Sequence, residues 1–282
     1  MRILPGSMQR MQGYGTLYFS VPSFGKKEQE QQVVGEFFEA LYRDVFQVYL
    51  QPKFVLGTRT VYGAEALARW KRPDGTILSP AAFIDSLEKI GYITELDFYI
   101  FEELLKTLDR WKKQNRREII VSTNFSGRHF EGDGEDFLKR ISHIMSKYNV
   151  SPKRVEIEVT EGVLIRNVDT LQKCVARLHE MGFHVAIDDF GSGYSSLSML
   201  ADIQADIVKI DKSFINKDMT DRKLRLLYEI GRMVKILEKD IIIEGVETKE
   251  QEDYLKEGGF TCGQGYLCNR PIPTGEFEKL YL

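Results

Sequence analysis

Cysteine and histidine are scarce in this chain, with three cysteines and four histidines in 282 residues. Cys174, Cys262 and Cys268 are too few and too scattered for a disulfide framework or a cysteine zinc site. They read as reduced thiols in a cytosolic domain. His129, His143, His179 and His184 show no His-x-x-x-His spacing, which argues against a histidine-rich zinc centre. No apolar run approaches the ~18–20 residues that span a bilayer. The opening residues, Met1-Arg2-Ile3-Leu4-Pro5-Gly6-Ser7, lack the apolar segment of a signal peptide. A cytoplasmic domain is expected, and a longer parent protein is free to carry a membrane attachment of its own. An excess of positive charge is missing too: the net charge is −3, so sequence-independent binding to DNA or RNA is not expected. A local basic pocket for a phosphorylated small molecule remains compatible with that balance. Internal repeats and low-complexity tracts are also missing.

What is present is enough apolar residue, 43%, for a sizeable core, in a length that α/β barrels occupy as single domains. Residues 1–32 are irregular, with Gly13, Gly15, Pro22 and Gly25 among Met, Tyr and Phe, then a polar run. They read as a leader or linker, or as a remnant of expression. A domain over 33–282 follows. Val33, Phe37, Ala40, Leu41 and Val45 form one helical stripe over 32–44. Strands and helices then alternate. Strands are predicted at 46–52, stopped by Pro52, and at 61–67, 118–124, 154–159, 184–187, 206–211, 241–244 and 260–266. Helices are predicted at about 80–90, 94–114, 135–148, 163–181, 221–238 and 248–257, with a short last helix from Thr274. The first two strands are joined by a short turn and are expected to be antiparallel, whereas the later ones need crossover helices and are expected to be parallel. A closed (β/α)8-type barrel is the economical reading, and an open doubly wound sheet is the alternative.

One stretch organises the rest: Ala186-Ile187-Asp188-Asp189-Phe190-Gly191-Ser192-Gly193-Tyr194-Ser195-Ser196. An apolar strand ends in two adjacent carboxylates and turns through two glycines. Two carboxylates so close repel unless a cation lies between them or one holds a proton. Taken alone, the stretch is explained equally well by an Asx-type capping turn. The other strand ends weigh against that. A buried parallel strand reads as continuous apolar residues, yet Glu65, Asn124, Glu158, Asp188 with Asp189, Lys209, Glu244 and Gln264 all stand at C-terminal strand ends. In a barrel those ends open onto one mouth. Each alone is most simply a cap, but together they are a set with oxygen donors in excess and no Cys or His, suited to a hard divalent cation, Mg²⁺ or Mn²⁺. Adjacent aspartates can share a ligand between two ions and activate water for attack on phosphorus. A lysine among them can orient that water, act on its proton or neutralise charge. Glu156 shares a face with Glu158, deeper in the barrel, and needs a partner that the sequence does not identify.

These residues carry a resemblance. Gln51-Pro52, Glu65-Ala66-Leu67 with Arg69-Trp70, Asn124-Phe125-Ser126, Glu158-Val159-Thr160-Glu161, the Asp188–Ser196 stretch, Lys209-Ile210-Asp211, Glu244-Gly245-Val246-Glu247-Thr248 and Gln264-Gly265-Tyr266 follow one another in an order and spacing that resemble the EAL domain family of cyclic di-GMP phosphodiesterases, over about residues 45–282. The resemblance implies a modified TIM-type (β/α)8 barrel with one antiparallel strand. It implies hydrolysis of cyclic di-GMP to linear pGpG by metal-activated water, with two Mg²⁺ or Mn²⁺ ions and inhibition by Ca²⁺. Glu65, Asn124, Glu158 and Asp188 would hold the first metal, Asp188 and Asp189 would serve the second, and Glu244 would assist the cluster. Lys209 would position or deprotonate the water, and Gln264 would hydrogen-bond within the site, so that Lys209, Glu244, Gln264 and Glu65 form the catalytic set. Gln51, Leu67, Arg69 and Glu247 would contact substrate, Arg69 through a phosphate. Glu161 would anchor the loop at 191–196, which would lead to a homodimer interface. A sensory or diguanylate-cyclase-type domain would lie upstream in the parent. Departures are Ser192, where Thr is common, and Ile243, where a small residue is common. Family members that have lost catalysis act as cyclic di-GMP receptors or protein-interaction modules, usually with lost ligands. No expected ligand is missing in this sequence, which favours activity.

Overall fold

The computed structural model describes residues 35–192, 197–215 and 220–282. The expected leader over 1–32 and residues 193–196 of the glycine-serine loop lie outside the described residues. Helical residues 35–42 (α1) lead into β1 (Phe46–Val55) and β2 (Val61–Lys71), followed by β3 (Ile77–Leu78), α2 (Ile84–Ile90), α3 (Ile93–Lys113) and β4 (Ile120–Phe125). Then come α4 (Glu135–Met145), β5 (Val155–Thr160), α5 (Gly162–Arg166), α6 (Val168–Met181), β6 (His184–Phe190), α7 (Leu197–Asp202) and β7 (Ile207–Ile210). The chain ends with α8 (Asp221–Ile236), β8 (Asp240–Ile243), α9 (Lys249–Glu257), β9 (Cys262–Gln264), β10 (Ile272–Pro273) and α10 (Thr274–Tyr281).

Eight strands close a ring in the order β1-β2-β4-β5-β6-β7-β8-β9, with β9 returning to β1. From β2 to β9 the ring neighbours are parallel, and β1 is antiparallel to both of its ring neighbours. The closed barrel with one antiparallel strand is therefore the architecture, and the open sheet is not. The parallel strands follow the rule for sheets covered on both faces: Val155, Ile157, Val159, Val185, Ile187 and Val208 are fully or almost fully buried. A smaller core joins α1 to the outer part of the β1–β2 hairpin. Phe37, Phe46, Trp70 and Phe83 meet there, with Phe46 5.1 Å from Trp70 and 5.9 Å from Phe83 between ring centres. Among the described residues no helix is long and apolar enough to cross a membrane.

Several boundaries differ from expectation for physical reasons. β1 does not stop at Pro52. Its outer edge pairs with β10 at Tyr49 and Leu50 and with β9 from Lys53, so the proline falls between two pairings and interrupts neither. β2 runs on to Lys71, because residues 67–71 continue the hairpin with β1 beyond the last pairing to β4 at Ala66. Glu65 is thus in mid-strand, but it is next to last in the part of β2 that belongs to the ring. The helix expected over 163–181 is two helices, α5 and α6, broken at Asn167, whose backbone (φ −140°, ψ 43°) is not helical. The helix over 80–90 is a 3₁₀ turn followed by α2, separated at Phe83, whose side chain is fully buried in the aromatic cluster. β9 is shorter than 260–266, and β3, β10 and α7 carried no strong periodic signal.

Candidate functional site

The polar strand ends meet at one mouth, and Lys209 is their centre. Its Nζ, with no solvent exposure, lies 2.9 Å from Glu158 Oε2, 2.9 Å from Asp188 Oδ1, 2.9 Å from Glu244 Oε1 and 3.3 Å from Glu65 Oε2. Barrel closure brings these groups together: β2, β5, β6 and β7 each contribute one inward side chain, and Glu244 stands one residue beyond β8. Asn124 on β4 is in register with Glu158 on β5 and donates from Nδ2 to Glu65 Oε1 at 2.6 Å. Gln264, the last residue of β9, donates to Glu65 Oε2 and to Gln51 Oε1. Its own Oε1 is buried without a hydrogen-bond partner.

Asp188 and Asp189 would point to opposite faces of a regular strand. Here a register shift between Ile187 and Phe190 and a left-handed backbone at Asp189 (φ 56°) turn both toward the mouth. Carboxylate oxygens of Asp188, Asp189 and Glu244 lie within 4.8 Å of one another, as do those of Glu65, Glu158 and Asp188. Asp188 belongs to both groups. Two residues beyond Asp189, Gly191 has φ 91°, and a Cβ there would come within 2.3 Å of Phe214. Its amide donates to Glu161 Oε2 at 2.7 Å, while the Glu161 amide donates to the Asp188 carbonyl at 2.9 Å. Glu161 is buried and so ties the start of the loop to the strand that carries Asp188.

The electrostatics follow from burial and crowding. Burial pushes the Glu65 carboxyl up to about 7, with Glu158 adding repulsion and Lys209 opposing it. Burial likewise raises Asp188 to about 7 against the pull of Lys209. Burial lifts Glu244 and Asp189 above the usual carboxylate range. Glu158 goes the other way: burial opposes its ionisation, but Lys209 and Lys53 outweigh burial and hold its carboxyl far below that range. Burial alone would discharge Lys209, and Asp188, Glu158, Glu244 and Glu65 together reverse this and keep it an ammonium.

Two cavities flank the acids. A third, of about 440 Å³, lies apart along α2, and the two that touch the acids measure about 210 and about 310 Å³. The smaller is lined by Gln51, Glu65, Leu67, Asp189, Glu244, Glu247 and Gln264, and the larger by Leu67, Asn124, Asp188 and Asp189 among others. Leu67 and Asp189 are common to both. Arg69 lies beside these cavities rather than in their lining, with Nη1 donating to the Ala68 carbonyl at 2.8 Å and its guanidinium 5.3 Å from the centre of the Tyr49 ring. Glu247 is exposed, and its backbone amide donates to Gln251 Oε1.

The partner of Glu156 is Lys53, which the sequence reading missed. Lys53 Nζ lies 2.7 Å from Glu156 Oε1 and 2.8 Å from Glu158 Oε1. The signal was available: Gln51 and Lys53 are two apart on one strand and share a face, as Glu156 and Glu158 do. Ending the strand at Pro52 hid it. Asp97 was missed too. It accepts from the Ser126 amide at 2.8 Å and pairs with His129 at 3.0 Å, fixing the turn after Asn124.

The EAL domain model matches residues 35–271. The signaling protein YkoW of Bacillus subtilis (strain 168) is 36% identical over 245 residues, which are 86% of this chain and 30% of that protein. The cyclic di-GMP phosphodiesterase NbdA of Pseudomonas aeruginosa is 31% identical over 263 residues, 93% of this chain and 33% of that one. The solved PaMucR phosphodiesterase in complex with c-di-GMP superposes with a TM-score of 0.81 at 29% identity, over 87% of this chain and 99% of that one. The chain spans about a third of the length of these curated relatives.

Proposed function

Because the chain belongs to the EAL domain family, we propose that it is a phosphodiesterase that hydrolyses cyclic di-GMP to linear pGpG. The observation that carries this is the gathering of Glu65, Asn124, Glu158, Asp188, Asp189, Glu244 and Gln264 around the Lys209 ammonium at one barrel mouth. Similarity to proteins named as cyclic di-GMP phosphodiesterases, and to one solved with c-di-GMP, supports the substrate. The two cavities either side of Asp189 suit a ligand with two bases joined through phosphates.

The donor set fits divalent metal. Both carboxylate groups offer hard oxygen ligands, and the unpartnered Gln264 Oε1 is a further acceptor inside the site. Fully ionised, the six acids Glu65, Glu156, Glu158, Asp188, Asp189 and Glu244 face two ammoniums, Lys53 and Lys209, and the shortfall of four positive charges is that of two divalent cations. Glu65, Asn124, Glu158 and Asp188 would hold one ion, with Asp188 shared and Asp189 and Glu244 serving the other. Mg²⁺ or Mn²⁺ is the proposed pair, with Ca²⁺ inhibiting. When bound, such ions acidify the attacking water and screen the phosphate charge.

The chain's own groups do the rest. Lys209, whose Nζ lies 2.9 Å from Glu158, Asp188 and Glu244, would position or deprotonate the attacking water. Glu244, at the edge of the cluster and in the lining of the smaller cavity, would assist the metal and water there. Gln51, Leu67 and Glu247 line the smaller cavity and would contact substrate there, and Arg69, which donates to the Ala68 carbonyl, would contact a phosphate. Glu161 holds the loop that follows Asp189. The complete donor set favours turnover over a receptor that only binds.

The test is incubation of the chain with cyclic di-GMP and Mn²⁺, followed by chromatography for the linear dinucleotide, with Glu65→Ala as control. Linear product from wild type and none from Glu65→Ala is expected. Binding without product at high enzyme concentration would move the assignment to a receptor, and equal cleavage by Glu65→Ala would remove the metal assignment.

A further inference from the structure

We propose that Lys53 is a positioning residue for the metal-binding carboxylate Glu158, and that Glu156 is its counter-charge. The inference rests on the metal-dependent reading above. Lys53 is 2% exposed and lies on the antiparallel strand, two residues beyond Gln51 and on the same face. Its ammonium is shared by Glu156 Oε1 at 2.7 Å and Glu158 Oε1 at 2.8 Å. The other oxygen of that carboxylate, Glu158 Oε2, is the one that faces Lys209 at 2.9 Å. The two oxygens of Glu158 are thus divided between two lysines. Oε1 is tied down beneath the site, and Oε2 is turned to the ammonium that Glu65, Asp188 and Glu244 also surround.

Three consequences follow. Glu158 would present a cation with Oε2, the oxygen on the side of Lys209 and the other acids, while Oε1 stays bonded to Lys53. Its orientation is set before any cation arrives, so little side-chain freedom is lost on binding. Glu156 then explains itself. A lysine against Glu158 would by itself cancel the charge that the carboxylate offers a cation, and Glu156, 3% exposed and bonded to the same Nζ, restores it. Groups that orient a metal ligand from behind act on affinity by about 10–100-fold.

Two charge-balanced variants of the full chain test this: Lys53→Met/Glu156→Leu and Lys53→Met/Glu156→Gln. Replacing both members of a buried ion pair together is often neutral for stability, whereas removing one is not. Circular dichroism reports the fold, and calorimetric titration with Mn²⁺ alone, without substrate, reports the site. The expected result is a native melting profile with Mn²⁺ affinity weakened by about tenfold or more. Unchanged Mn²⁺ affinity in either folded variant would overturn the proposal and leave Lys53 a purely structural cation. Glu158→Gln is titrated alongside. If that variant binds Mn²⁺ as wild type does, the metal reading itself fails, and if it loses Mn²⁺ while the double variants keep it, only the role of Lys53 does.

Discussion

Asp188 and Asp189 are neighbours in a strand, yet their carboxylates come within 4.8 Å of each other and of Glu244. The left-handed backbone at Asp189, φ 56°, makes this possible. That conformation costs most L-residues about 1–2 kcal/mol, and Asp and Asn tolerate it best because their short side chains bond locally. Asp189→Asn therefore keeps the turn and removes the charge. Its melting temperature is expected to match wild type, while cyclic di-GMP hydrolysis in Mn²⁺ falls by about a hundredfold, or about 2.7 kcal/mol of transition-state stabilisation. A variant that melts normally and cleaves normally would exclude Asp189 from the site.

Glu161 connects the loop to the strand, through Gly191 on one side and the Asp188 carbonyl on the other. Removing its carboxylate in Glu161→Ala frees the start of the loop without touching the mouth. Activity is expected to drop by about tenfold or more, or about 1.4 kcal/mol, with the circular dichroism spectrum unchanged. Full activity in this variant would show that the anchor has no part in catalysis.

Metal removal separates folding from chemistry. With Lys209 and Lys53 inside the acid cluster, the barrel has internal cations of its own. Chelation by EDTA is expected to abolish hydrolysis while leaving a cooperative melt. Adding Mn²⁺ back at a hundredfold excess over Kd is expected to stabilise the fold by about 2.7 kcal/mol. A chain that unfolds in EDTA at room temperature would contradict the idea that the lysines hold the acid cluster together without metal.

A pH-dependent contribution lies away from the mouth. Glu252 on α9 is fully buried, accepts from the Gly57 amide at 2.8 Å and pairs with Arg59 at 3.1 Å and Lys249 at 2.9 Å. Burial opposes its ionisation, but Arg59, the Gly57 amide and Lys249 outweigh it and bring its carboxyl down to about 2. The unfolded value is about 4.3. Stability from this group is therefore present above that value and lost as pH falls toward 2. Because Arg59 and Lys249 are half exposed, the contribution is discounted to about 2 kcal/mol. Urea unfolding of Glu252→Gln is expected to lie below wild type by this amount at pH 7, with the gap narrowing toward pH 3. A gap independent of pH would remove the ionic interpretation.

Much of the fold was legible because alternation of strands and helices is a local signal. The inward set was legible for a similar reason: charged residues inside apolar strands stand out. Pro52 hid the continuation of β1, because whether a proline breaks a strand depends on what pairs at that edge. Asn167 hid the break between α5 and α6, since the residues on both sides keep helical spacing. Lys53 was hidden with β1, although its two-residue offset from Gln51 was in plain view.

By itself the sequence determined the chemistry of the donors, their places along strands and the run of elements that a barrel needs. These depend on backbone periodicity and residue type, which act over a few residues. The tertiary structure alone decided the pairings. Lys53 meets Glu156 and Glu158 from 103 and 105 positions away, and Lys209 meets Glu65 across 144. Only ring closure fixes the register that brings those groups together. Once they are buried there, weak screening by solvent sets which carboxyls hold protons and keeps both lysines charged.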